Sequence, residues 1–127
     1  MSNFDKIYDR FVKQPPAPEL RSLLKRFYYS LIKKPYELAE IKQSMTDVLM
    51  FLCSEAGRTD ANCRAVDMFI CIDDGWENDW SDLPEAFHEI VFDMGHGLHD
   101  TVKSPDIAKN FECLPEQLLE RTKRLEV

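Results

Sequence analysis

Residues 18–35 read PELRSLLKRFYYSLIKKP, and this stretch decides the fold class. Leu20, Leu23, Leu24, Phe27, Tyr28, Leu31 and Ile32 recur at the three-and-four spacing of one helical face, while Arg21, Lys25, Arg26 and Lys33 occupy the other side. The pattern predicts a helix over three turns that buries one flank. Pro35 ends it and is placed to open the next helix, where a missing N–H costs nothing.

The next segment, 36–56, repeats Leu38, Ile41, Met45, Val48 and Leu52 in alternating steps, as in left-handed bundle packing. Gly57 follows at the place of a left-handed C-terminal cap. Thr59 and Asp60 open a further segment to Ile72. Its end, Met68 to Ile72, is apolar all round, so periodicity alone leaves helix and strand open. Nothing else in the chain reads as a partner strand, and an isolated strand leaves its backbone groups unsatisfied; a helix is expected, and the most buried one.

Upstream, Phe4, Ile7, Tyr8 and Phe11 give a helix over 3–13, with Ser2 and Asp5 as a capping pair. The prolines of Gln14-Pro15-Pro16-Ala17-Pro18 then stop it and make a stiff connector. Downstream, Asp82 is expected as an N-cap, with Glu85 in capping-box position, for a helix over 83–102. Ser104-Pro105 begins a short helix. Leu114-Pro115-Glu116 begins another, with Leu118, Leu119 and Leu125 facing inward. Connections of two to five residues make the central helices antiparallel neighbours. Only four glycines are present, too few for the tight turns of an all-β fold. The expectation is one all-α domain, 1–127: a compact bundle of about four substantial helices and about three short ones.

The net charge of −7 is unevenly placed. Lys and Arg slightly outnumber Asp and Glu up to residue 66, whereas the acids dominate from residue 67 onward. That balance excludes a basic face able to neutralise several phosphates, so no nucleic-acid partner is expected. No secretory leader is recognisable at the N-terminus, and no apolar run approaches the ~20 residues that span a bilayer. Cys53, Cys63, Cys71 and Cys113 lack C-x-x-C spacing and read as free thiols. A cytoplasmic protein without cofactor or membrane attachment is expected.

Function concentrates between Ile72 and Asp100, which holds both tryptophans and all three histidines. The loop from Asp73 to Asp82 carries Asp73, Asp74, Glu77, Asp79 and Asp82 around Trp76 and Trp80. Tryptophan anchors interfaces, and carboxylates around it steer a basic partner. The alternative is that both indoles fold back as a lid on the core. On the following helix, Leu83, Phe87, Ile90, Val91, Met94, Leu98 and Val102 share one arc. Glu85, His88, Glu89, Asp93, His96, His99 and Asp100 lie opposite, with Phe92 unexpectedly among them. The glycines at 95 and 97 suggest either the close approach of another helix or a break near Gly95.

These features support a small acidic protein-interaction module, an adaptor, regulator or immunity-type inhibitor. It would dock a basic protein through Asp73, Asp74, Trp76, Glu77, Asp79, Trp80, Asp82, Glu89 and Phe92. The second reading is a metal-binding bundle or metal-dependent enzyme centred on Asp93, His96, His99 and Asp100, since Asp93-x-x-His96 has carboxylate–imidazole spacing. It needs ligands from facing helices, whose inward stripes are aliphatic. The third is self-association, as a homodimer, through Tyr29, Phe51 and Phe92. A calcium loop fails because neither Asp73 nor Asp74 sets donors at the required intervals. No nucleophile elbow, phosphate-cradling loop or dinucleotide fingerprint occurs.

Overall fold

The computed structural model describes residues 4–6, 8, 17–70, 82–102 and 113–127. Among them every regular element is helical, and the all-α class expected from the apolar spacing holds. Five helices follow in order: α1 (Pro18–Ile32), α2 (Leu38–Cys53), α3 (Asp60–Ile70), α4 (Glu85–Val102) and α5 (Leu114–Lys123). Residues 4–6 and 8 are also helical. Ile7, Phe11, Ser2 and the Pro15–Pro16 connector lie outside the described residues, as do the loop 71–81 and the short helix expected at Ser104-Pro105.

The stripes become the core. Leu20, Leu24, Phe27 and Leu31 of α1 meet Ile41, Met45, Val48 and Leu52 of α2, and all are buried, with Leu23, Ile32 and Leu38 packed around them. Phe4 and Tyr8 close one side, stacked 5.3 Å apart. The α1–α2 pair is antiparallel. Arg26 binds Asp47 at 2.6 Å, and Ser30 lies 3.0 Å from Ser44, so the partner's number falls as the first rises. Ser30 donates to the Phe27 carbonyl at 2.7 Å, and the Ser44 hydroxyl has either the Ile41 carbonyl at 3.2 Å or the Ser30 oxygen as its acceptor, so both buried hydroxyls are satisfied.

Sequence neighbours are not always spatial neighbours. α5 packs along α2 and then along α4, while α3 packs mainly on α4. The expectation that short connections pair α2 with α3 is therefore corrected. What replaces side-by-side packing is a corner held by Asn62, 1% exposed. Its Oδ1 accepts from the Ala17 N–H at 3.0 Å, and its Nδ2 donates to the Gly57 carbonyl at 3.2 Å. One amide thereby ties the start of α1 to the α2–α3 turn, and the Thr59 hydroxyl caps α3 through the Asn62 N–H at 3.1 Å.

Several boundary expectations are corrected. α1 ends at Ile32, and Pro35, preceded by a cis peptide bond, lies in the connection rather than at the head of α2. α3 remains helical through Ile70, which resolves the apolar run at 68–70 in favour of helix; Cys71 and Ile72 lie outside the described residues. Gly57 is not in the left-handed region. A Cβ there would sit 1.8 Å from the Phe51 carbonyl oxygen, so glycine is required by close approach, not by backbone sign.

Asp82 does not cap α4. The Pro84 carbonyl accepts from the Phe87 and His88 N–H groups, both at 3.0 Å, and so closes the first turn. α4 also runs unbroken through both glycines. A Cβ on Gly97 would lie 2.9 Å from the Leu114 methyls, so that glycine admits the start of α5. Leu118 and Leu125 are buried and Leu119 packs against the core, as the sequence implies.

Candidate interaction surface

α4 carries the residues that matter here, and its two faces separate as the 3.6-residue repeat requires. Leu83, just before the helix, and Phe87, Ile90, Val91 and Met94 are buried. Glu85, His88, Glu89, Phe92 and His96 are exposed on the opposite arc. At i, i+3, i+4, i+7 and i+11 they form one stripe about 100° wide. Phe92 is 55% exposed. Its ring centroid is 4.2 Å from that of His96 and 6.5 Å from that of His88, one turn to either side.

The carboxylates of this stripe are unpaired, as are those of Glu19, Glu55 and Glu126, among the described residues. Several acids on other surfaces join segments: Asp5 with Arg21 and Lys25, Glu40 and Asp47 with Arg26, Glu116 with Arg58. The Arg26 contact holds the Glu40 carboxyl below the usual range, chiefly through their hydrogen bond, and raises the guanidinium in return. Glu85 and Glu89 have no such cation among the described residues. The half-exposed aromatic thus stands between histidines and two uncommitted carboxylates.

Other residues expected at the site have structural tasks. Asp82 accepts from Lys34 Nζ at 3.0 Å and from the Tyr36 hydroxyl at 3.2 Å. It joins the α1–α2 connection to the approach of α4. The Lys34 hydrogen bond holds its carboxyl below the ordinary aspartate range and raises the ammonium. Asp93 accepts from Arg121 of α5 at 2.7 Å. Sequence spacing offers it to a metal beside His96; in the structure it pairs with Arg121. Among the described residues no group of three or more His, Cys, Asp and Glu side chains converges as a metal site.

Asp73, Asp74, Trp76, Glu77, Asp79 and Trp80 lie outside the described residues, as do the side chains of His99 and Asp100. Of the three apolar residues considered for a dimer face, Tyr29 and Phe92 are exposed, whereas Phe51 packs against the core. Met50, 55% exposed, was not anticipated. Asn62 and Arg121 were missed as well. An asparagine beside Cys63 and Val66 on an otherwise apolar arc was the available signal for the first. Nothing local in the sequence marks the second.

Between the first turns of α4 and the last turn of α5 lies an open groove of about 410 Å³. Phe87, Ile90 and Leu125 form its floor, and Pro84, Ala86, Glu89, Arg121, Arg124 and Glu126 its rim. Glu89 belongs to both groove and stripe. Among the described residues no helix is long and apolar enough to cross a membrane. No family model matches the chain, and neither a curated protein nor a solved structure matches it.

Proposed function

We propose that this protein is an interaction module that docks a basic protein partner on the outer stripe of α4. One observation carries the reading: Phe92 is 55% exposed on a helix whose opposite face is buried, and Glu85 and Glu89 beside it have no cation partner among the described residues. A cation from a partner placed over the exposed ring gains both the carboxylates and the ring face. The acidic excess from residue 67 onward adds long-range steering towards a basic surface.

The test compares salt-dependent capture of protein from a lysate by the native chain, by Phe92→Ala and by Glu85→Gln/Glu89→Gln. Phe92 is 55% exposed and its ring contacts are with His88 and His96, so its truncation is expected to change stability by about 0.5 kcal/mol. Both variants should lose a basic protein that the native chain retains at low salt and releases at high salt. Equal retention by all three chains would refute the reading. Self-association through Tyr29, Met50 and Phe92 is the second reading, favoured by their shared exposure; concentration-dependent light scattering abolished by Phe92→Ala would establish it in place of the first.

A further inference from the structure

We infer that the α4–α5 groove receives one large apolar side chain from the same partner, so that the docking element is a basic amphipathic helix with an apolar anchor. This rests on the reading of the α4 stripe as a docking surface and specifies what occupies it. The groove's volume of about 410 Å³ lies at the low end of ligand clefts and has room for one large apolar side chain. Its floor of Phe87, Ile90 and Leu125 offers no hydrogen-bonding side chain, which selects an apolar anchor over a polar one.

The rim decides the sign of the occupant. Arg121 is held by Asp93 at 2.7 Å, whereas Arg124, 4.0 Å from Glu120 on an exposed turn, is only loosely offset, one cation against the two carboxylates of the rim. Glu89 and Glu126 have none among the described residues. The uncommitted charge around an apolar floor is therefore negative, and the complementary occupant places Lys or Arg beside its anchor. Glu89 fixes the geometry. It borders the groove on one side and the Phe92 stripe on the other, three residues before Phe92. A helix laid along α4 reaches both with side chains three or four residues apart, the spacing of helix-in-groove recognition.

The experiment is an amide-resolved nuclear magnetic resonance titration of the full chain with three synthetic helical peptides. The first carries a leucine anchor flanked by arginines, the second has that leucine replaced by alanine, and the third has glutamates for the arginines. The first is expected to shift the amides of Ala86, Glu89, Ile90 and Leu125 together with Phe92. Loss of the anchor should weaken binding roughly tenfold and leave the groove amides unmoved. Ala86→Arg, an exposed rim change that leaves the core intact, should block the groove shifts.

Shifts confined to the Phe92 stripe, with a silent groove, would overturn this inference and leave the docking reading standing. Seating of the acidic peptide against Arg121 and Arg124 would overturn it by sign. Absence of binding at both surfaces would overturn the inference and the docking reading together.

Discussion

Replacing Asn62 by alanine tests how the corner of the bundle is held. The amide is 1% exposed, accepts from Ala17 at 3.0 Å and donates to Gly57 at 3.2 Å, with a longer 3.5 Å contact to the Ala56 carbonyl. Removing it strands the Ala17 N–H, and a buried polar group left without a partner costs about 1–3 kcal/mol; the Gly57 carbonyl keeps the Thr59 N–H at 3.0 Å. Ala17 is only half-buried, so water restores part of that loss. Alanine's better helix propensity returns roughly 0.5 kcal/mol. The net destabilisation is expected at about 1–2 kcal/mol, a fall of roughly 5 °C in Tm for a chain of this length. Urea unfolding followed by circular dichroism reads it as a lower midpoint at unchanged slope, and hydrogen exchange at the Ala17 amide should accelerate. A loss under about 1 kcal/mol with unaltered exchange at Ala17 would refute the assignment of Asn62 as the tie between α1 and the α2–α3 turn.

Two glycines should respond oppositely. Gly57→Ala drives a Cβ against the Phe51 backbone oxygen, which cannot yield as a side chain can, and is expected to cost about 2–3 kcal/mol by thermal melting. In Gly97→Ala the nearest atoms to the new Cβ are the Leu114 methyls, which can move, and the gain in helix propensity of about 1 kcal/mol should offset their displacement, leaving Tm nearly unchanged. For Asp82 the folded carboxyl titrates below the unfolded one because Lys34 donates to it. The tether therefore acts above the ordinary aspartate range and is lost as pH falls through the lower folded value. A carboxyl resonance titration should show the depressed midpoint, and Lys34→Ala should raise it towards the ordinary range, with the Tyr36 hydroxyl still bonded.

The fold was legible where burial follows a short repeat. Leu20 to Ile32 and Leu38 to Leu52 announce their inner faces, and the arc of Phe87, Ile90, Val91 and Met94 is buried as spaced. What periodicity does not encode is which faces meet. α5 lies between α2 and α4 because Leu118, Thr122 and Gly97 fit there, and that is a property of shape across distant segments. The turn chemistry misled for the same reason. Gly57 has the sequence signature of a left-handed cap, yet an approaching carbonyl explains it. Asp82 has the signature of an N-cap, yet Lys34, 48 residues away, claims its oxygen. At the candidate site, the exposure of Glu89, Phe92 and His96 was readable from a helical wheel. That Asp93 would be taken by Arg121 and that a groove would open beside Glu89 were not, since both depend on the placement of α5.

The most direct measurement of the docking reading is site-specific photo-crosslinking from position 92, with Met50 and Tyr29 substituted in the same way as references. A benzophenone side chain replacing Phe92 keeps the aromatic character of the stripe and reports what lies against it. The expected result is a discrete adduct with a basic protein, formed from position 92 alone and diminished by Glu85→Gln/Glu89→Gln. Adducts formed equally from all three positions, or none from position 92, would contradict the assignment of the outer stripe of α4 as the docking surface.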